Sequence, residues 1–272
     1  MPKQTERAEA FRQLHERPGI FVMPNPWDVG TARILERIGF EALATTSAGF
    51  AFSHGRRDYN MGREAVLEHC RTLVVATSLP LNADLENGFG DEPRAAAETI
   101  RLAVETGLAG GSIEDATGRP ESPIYEISHA VERVRAAAEA ARQTGSPFVF
   151  TARCENYLYQ RPDLADTIGR LQAYQDAGAD VLYAPGLKSP EDIATVVRSV
   201  DRPVNVLMGL SGINLSMAQL STMGVKRVST GGALARAALG AFLQAAREMH
   251  DSGTFRFNDD AVPMREINSL LE

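Results

Sequence analysis

Gly19-Ile20-Phe21-Val22-Met23-Pro24-Asn25-Pro26-Trp27-Asp28 is a short β-prone run that ends in two prolines and a tryptophan. An open, doubly wound sheet that binds a nucleotide needs glycines directly after its first strand. The backbone must turn tightly there and approach a pyrophosphate. Pro24 to Trp27 cannot make that turn, so the open sheet loses its main signature. Seven more β-prone runs follow, at 42–47, 79–85, 110–115, 148–154, 180–185, 203–208 and 226–232. Helical patterns separate them at 29–38, 63–77, 93–106, 126–143, 163–177, 189–199, 214–223 and 231–250. Asp91-Glu92-Pro93 and Ser189-Pro190-Glu191 place acids and proline in a first turn, while Gly39, Gly107, Gly145, Gly178 and Gly224 close helices. The strands read as nearly continuous apolar runs, as expected when helices cover one face and a packed interior the other. Eight βα units predict an α/β protein of the (β/α)8 TIM-barrel class, and 272 residues suits that fold's typical length of about 250.

Composition narrows the function. The chain is 44% hydrophobic and 23% charged with a formal charge of −7, which argues against disorder and against nucleic acid as a partner. Cys70 and Cys154 are the only cysteines, far apart and without zinc spacing, so a reducing cytoplasm is the expected location. The N-terminal stretch is charged and amphipathic, unlike a signal peptide, and no apolar run approaches the roughly 20 residues needed to cross a bilayer. The barrel is expected to span 1–250. Residues 251–272 form a C-terminal helical extension, with Met264, Ile267, Leu270 and Leu271 at helical spacing. That helix either caps the barrel or lies in a subunit interface.

In this fold chemistry gathers where strands end. Strand three ends in Asn82-Ala83-Asp84-Leu85-Glu86-Asn87-Gly88-Phe89-Gly90, strand four in Glu114-Asp115, and strand five in Thr151-Ala152-Arg153. Asp84 and Glu86 are two apart, so an extended chain would point both the same way, and Glu114 ends the adjacent strand. Three hard oxygen donors at one barrel mouth suit Mg2+, with Mn2+ as a substitute. Packing such acids together without a cation is unfavourable. Arg153 offers a planar fork for a substrate carboxylate, or a salt bridge to Glu114 or Glu155. Ser47-Ala48-Gly49 after strand two is small enough to bring backbone N–H groups to an anion, or simply makes a tight turn. His54 beside Arg56, Arg57 and Asp58 is the histidine placed to act as an acid or base. The other four lie on predicted helices as surface residues. Tyr59, Tyr157, Tyr159 and Tyr183 are further possible proton donors.

In this order the motifs resemble the isocitrate lyase / phosphoenolpyruvate mutase superfamily. The matching pieces are Asn25-Pro26-Trp27-Asp28, Thr46-Ser47-Ala48-Gly49, Asp58, Asp84-Leu85-Glu86-Asn87-Gly88-Phe89-Gly90, Ile113-Glu114-Asp115 and Thr151-Ala152-Arg153. The resemblance spans about residues 15–245. It implies a barrel whose eighth helix is swapped between subunits of a homo-oligomer, a dimer of dimers. It also implies Mg2+ and a small carboxylic acid substrate cleaved or rearranged beside an enolate. Carried over by position, Asp84, Glu86 and Glu114 become the metal shell. Asp58 and Arg153 become catalytic groups, and Ser47, Ala48, Gly49 and Arg153 the substrate contacts. The isocitrate and methylisocitrate lyases carry a Lys-Lys/Arg-Cys-Gly-His element after strand four. This chain has Ala116-Thr117-Gly118-Arg119-Pro120-Glu121-Ser122-Pro123-Ile124 there, with no thiol or imidazole. The expected activity is therefore a Mg2+-dependent C–C lyase on a 2-oxo or 2-hydroxy di- or tricarboxylic acid, of the oxaloacetate-decarboxylating kind. Two alternatives stand beside it: a P–C bond mutase or hydrolase on phosphonopyruvate-like substrates, and an inactive barrel that binds 2-oxo acids.

Overall fold

Each of the eight β-prone runs becomes a strand in the computed structural model, which describes residues 4–272. The strands are β1 (Phe21–Met23), β2 (Leu43–Ala44), β3 (Leu81–Asp84), β4 (Gly110–Glu114), β5 (Val149–Arg153), β6 (Val181–Tyr183), β7 (Val204–Leu207) and β8 (Arg227–Ser229). The helices are α1 (Gln4–Glu16), α2 (Val29–Ile38), α3 (Ser47–Ser53), α4 (Arg63–Ala76), α5 (Pro93–Glu105) and α6 (Ile127–Gln143). They continue with α7 (Leu164–Asp176), α8 (Pro190–Arg198), α9 (Met217–Thr222), α10 (Ala233–Arg247) and α11 (Met264–Leu271). Neighbouring strands pair in parallel in the order β1-β8-β7-β6-β5-β4-β3-β2. The seam between β1 and β2 is crossed by Ala44 N–H donating to the Pro24 carbonyl at 3.0 Å. The result is a (β/α)8 barrel. No helix among the described residues is long and apolar enough to cross a membrane.

The turn after β1 does more than exclude a phosphate loop. Asn25 is buried, and its Nδ2 donates to the Thr45 carbonyl at 2.7 Å. Its Oδ1 accepts from Thr230 N–H at 2.8 Å and Gly231 N–H at 2.9 Å. One amide thus ties the ends of β1, β2 and β8 across the seam, satisfying loop groups that would otherwise be buried unpaired. Three residues on, Asp28 caps α2 in a reciprocal box with Thr31, its Oδ1 accepting Thr31 N–H at 2.7 Å.

The opposite end of the barrel is plugged by α1, the charged N-terminal stretch. Phe11 and Ala8 are fully buried with Phe21, Met23, Val149 and Val181. Gly110, which starts β4, has no room for a side chain: a Cβ there would stand 2.7 Å from the Val149 carbonyl and 2.8 Å from the Phe11 ring. Close approach of the plug requires that glycine.

Three expectations need correction. The strands are not uniformly apolar, because Asn82, Ser112, Asn205 and Arg227 line an interior cavity where hydrocarbon was expected. Ser47-Ala48-Gly49 is not a turn but the first turn of α3, capped by Thr46, whose Oγ1 accepts Gly49 N–H at 3.2 Å. Two of the four helix-borne histidines are not surface groups. His69 stacks on Phe50 at 4.0 Å, and His15 sits in the plug with Nδ1–H donating to the Phe11 carbonyl at 2.7 Å. Burial pulls both imidazoles down, to about 4 and about 3. At the C-terminus α11 packs along α2 and leaves Met264 80% exposed, while α10 exposes Leu239, Phe242 and Leu243.

Because Asn25 satisfies three backbone groups and Asp28 chiefly one helix start, their loss should differ in cost. Asn25→Ala is expected to lower the unfolding free energy by about 2–3 kcal/mol and Asp28→Ala by about 1 kcal/mol. Urea unfolding of both variants checks this, and equal costs would contradict the seam role.

Candidate active site

A cavity of about 400 Å3 opens at the C-terminal ends of the strands and reaches down the barrel axis to Arg227, the first residue of β8. The register of the sheet prepares its wall: Glu114 is paired with Arg153, and Arg153 with Tyr183, on adjacent strands. The Arg153 guanidinium then binds three acids. Nη1 lies 2.9 Å from Asp84 Oδ1, Nη2 3.0 Å from Glu114 Oε2, and Nε 2.9 Å from Glu155 Oε1. The face of the Tyr183 ring lies 5.2 Å from its central carbon. The salt bridge and the carboxylate clamp considered for Arg153 are not exclusive, since each Nη carries a second N–H.

Strand alternation separates Glu114 from Asp115. Glu114 faces the cavity, whereas Asp115 turns outward to Tyr174 Oη at 2.5 Å and Arg170 Nη1 at 3.2 Å, and its Oδ1 accepts Glu155 N–H at 2.8 Å. Asp115 therefore anchors the segment that carries Glu155. Ser47 lies between two acids: its N–H donates to Asp84 Oδ2 at 3.3 Å, and its hydroxyl bonds Asp58. Burial, then the nearby Asp84 charge, raises Asp58 above the usual carboxylate range. Burial likewise raises Glu114 and Glu155 despite Arg153.

Of the expected metal shell, Asp84 and Glu114 line this cavity and Glu86 does not. The alternation that aligned Asp84 with Glu86 stops at Asp84, where β3 ends. Glu86 has left-handed backbone (φ 49°) and lines a neighbouring cavity with Tyr59, which borders both. Glu86 is nevertheless buried, and desolvation with the charges of Asp84 and Asp58 pushes its carboxyl up to about 8. Among the described residues no three His, Cys, Asp or Glu approach closely enough to ligate one ion directly. Yet Glu86 Oε1 and Glu114 Oε1 are both buried without a hydrogen-bond partner. Asp58, Asp84, Glu86, Glu114 and Glu155 together outnumber the single guanidinium they share. Unsatisfied oxygens and surplus negative charge fit a hydrated divalent cation, one that keeps several waters rather than filling a protein cage.

Other expected residues fall elsewhere. Ser47, Ala48 and Asp58 line the cavity, but Gly49 does not; its amide is spent on the Thr46 cap, and a Cβ there would meet Trp27 at 2.8 Å. His54 ends α3, with Nδ1 at 3.1 Å from both the Phe50 carbonyl and Ser53 Oγ, so it braces the helix and does not reach the cavity. Cys70 and Cys154 are fully buried off the cavity. The loop 116–124 is a short hairpin bridged at Ala116 and Ile124. It is pinned by Arg119 to Asp91 at 2.6 Å and contributes nothing to the cavity wall. Sequence reasoning missed Asn205, Arg227, Ser229 and Arg236, all on the cavity wall. The readable signal was the polar i, i+2 spacing in Asn82-x-Asp84, Ser112-x-Glu114, Thr151-x-Arg153 and Arg227-x-Ser229.

The raised Glu86 gives a stability test of the cation site. A carboxyl raised on folding holds its proton longer in the native state than in the unfolded one. Its contribution is full below about pH 4.5 and is lost as pH rises toward about 8. Glu86→Gln cannot ionise, so without divalent ions its stability relative to the parent should rise over that window, by a few kcal/mol on the order of magnitude. Added Mg2+ should reverse the ranking at pH 8. Denaturant titrations at pH 5 and 8, with and without Mg2+, read the effect; a pH-independent difference removes the basis for a cation at Glu86.

Known proteins resemble this chain along nearly its whole length. Residues 11–250 match the phosphoenolpyruvate phosphomutase family profile. An uncharacterized protein of Mycobacterium tuberculosis is 33% identical over 96% of each chain. A Corynebacterium glutamicum protein named probable 2-methylisocitrate lyase 2 is 30% identical over 92% of this chain and 82% of its own. A solved Burkholderia cenocepacia structure of lyase/mutase type is 63% identical, covers 98% of this chain and 95% of that one, and superimposes with a TM-score of 0.95. The chain is thus a member of the isocitrate lyase / phosphoenolpyruvate mutase superfamily, whose enzymes are lyases and mutases that generally use Mg2+.

Proposed function

We propose that this protein is a Mg2+-dependent lyase that breaks a C–C bond of a small 2-oxo or 2-hydroxy di- or tricarboxylic acid through an enolate, with decarboxylation of an oxaloacetate-type acid as the simplest case. The observation that carries this reading is a cavity with Arg153, Asp84 and Glu114 on its wall and neither cysteine nor any residue of 116–124 within it. Asp84, Glu86 and Glu114 would hold the ion together with its waters. Bound there, Mg2+ (or Mn2+) supplies Lewis-acid stabilisation of the enolate oxygen. Arg153 has N–H groups left for a substrate carboxylate, and its planar fork suits that task better than a lysine would. Asp58 and Ser47 orient the acids around the entering substrate.

The absent loop thiol selects among reactions. Retro-aldol cleavage of methylisocitrate leaves a dicarboxylate carbanion that must be protonated in place, whereas CO2 departs without a proton. The P–C alternative draws no support from the loop, whose one cation, Arg119, is held by Asp91. The experiment is a panel of oxaloacetate, methylisocitrate, citramalate-type acids and phosphonopyruvate, each with and without Mg2+. Metal-dependent turnover of an oxo or hydroxy acid is expected, with methylisocitrate slower than the best substrate by roughly 10²-fold or more. Arg153→Lys should weaken 2-oxo acid binding at least about tenfold. Preferred turnover of phosphonopyruvate, or none of the four, overturns the reading.

The same reading includes a homo-oligomer. The exposed apolar residues of α10, led by Phe242 at 66%, support a helix exchanged between copies, in a dimer of dimers. Light scattering should give an oligomeric mass that Phe242→Glu shifts toward monomer; a monomeric parent protein removes this part of the proposal.

A further inference from the structure

An enolate must take a proton before it leaves as product, and the residues that supply one in this cavity are not on the loop. Three tyrosines line it, Tyr59, Tyr159 and Tyr183. Tyr59 is 39% exposed in left-handed backbone (φ 61°), and Tyr159 follows β5 on a connecting segment. Tyr183 is fixed in β6, beside Arg153 in register and under its guanidinium.

The Tyr183 hydroxyl ends a hydrogen-bond chain whose direction the chemistry dictates as far as Ser229. It begins at Arg227, which is 1% exposed on the cavity floor and has no carboxylate partner among the described residues. Its Nη2 donates to Thr151 Oγ1 at 3.1 Å and its Nη1 to His15 Nε2 at 3.1 Å, both neutral acceptors. Its Nε donates to Asn205 Oδ1 at 2.9 Å. Arginine has no acceptor, so the amide orientation is fixed: Asn205 Nδ2 points the other way and donates to Ser229 Oγ at 2.9 Å. Ser229 in turn neighbours the Tyr183 hydroxyl, where its hydrogen bonding favours the phenolate. Ser229 keeps its own proton after accepting from the amide and can pass it to the phenol oxygen, and each donor in such a chain strengthens the next. With Ser229 donating, the phenol's own proton is free for the cavity that Tyr183 lines.

We infer that Tyr183 is the proton donor to the enolate carbon, and that Arg227 is a positioning residue that acts through Asn205 and Ser229 to hold the phenol proton toward the substrate. The inference rests on the enolate reading proposed above. When the C–C bond breaks, its electron pair stays in the enolate. The carbon then takes the Tyr183 proton, so that a C–H bond forms as the O–H bond breaks. The phenolate is left against Arg153 and regains a proton from water. An unpaired buried guanidinium is costly to fold around, and this role gives that cost a use.

Exchange of the pyruvate methyl protons for deuterium, followed by 1H NMR in D2O with Mg2+, reads this proton transfer without any cleavage step. The parent protein should catalyse exchange, and Tyr183→Phe should slow it at least about 100-fold. Oxalate, a planar enolate mimic, should bind Tyr183→Phe as tightly as the parent, which shows that the site remains folded. Ser229→Ala should slow exchange roughly tenfold with oxalate affinity unmoved, and Ser229→Thr, which keeps the hydroxyl, should restore it. Exchange by the parent that persists in Tyr183→Phe overturns this inference alone. Loss of exchange together with loss of oxalate binding also overturns it, because Tyr183 would then be a structural residue. A parent protein that exchanges no pyruvate protons defeats the enolate reading, and this inference falls with it.

Discussion

Five carboxylates crowd one end of a barrel around a single guanidinium, and most of the site's architecture follows from that imbalance. Arg153 pairs with Asp84, Glu114 and Glu155 at once. In a buried setting each ion pair must repay the desolvation of both partners, which one cation cannot do for every acid. The residue of that deficit is visible as raised carboxyls at Asp58, Glu86, Glu114 and Glu155, and as two buried oxygens without partners. A divalent ion with its waters is the chemistry that relieves all of these together. The scaffold holds the deficit in place through residues that never touch it. Asn25 locks the seam beside Ser47, and Asp115 fixes the backbone of Glu155 from outside the barrel.

The other end of the cavity carries the opposite imbalance. Arg227 is buried among neutral acceptors on the floor, while the mouth is acidic. A cation would be drawn to one end, and negative charge developing further in would be met from below. Such a field is built before substrate arrives and needs no reorganisation during reaction, the condition under which fixed dipoles and charges are most effective. The plug helix shares in this. His15 can accept from Arg227 because burial keeps its ring neutral, and a charged imidazole there would oppose the guanidinium.

Sequence made the barrel legible almost completely, because strand and helix signals are local: helix starts such as Asp28, Asp163 and Ser189 cap as their residue types suggest. The site was legible only in part, and the reason lies in where local rules stop. Alternation predicts a shared direction for Asp84 and Glu86 only while the chain stays extended, and the left-handed backbone at Glu86 ends that. The small residues 47–49 favour a turn and a helix start alike, so Thr46 as a cap decided the outcome. His54 looked reactive because acids and arginines flank it in sequence, although its ring folds back on Phe50. Of the floor residues, Asn205 was hidden inside a run read as apolar. The i, i+2 spacing of Arg227 and Ser229 could be read, but nothing local in it says that strands far apart in sequence bring them together with Asn205.

A proton donor on a mobile loop and one on a strand place different demands on the rest of the protein. A loop donor must travel to the substrate, so its segment must be loosely held and must exclude water when it closes. Here the segment after β4 is short, internally bridged from Ala116 to Ile124 and tied by Arg119 and Tyr125 to Asp91. Each of those bonds would have to break for the loop to act as a moving acid. A donor in β6 needs no travel. Its geometry is set by strand register with Arg153 and by the chain from Arg227. The pinned hairpin and the wired strand are therefore consistent with one another: where the acid is built into the wall, the loop is free to be a brace.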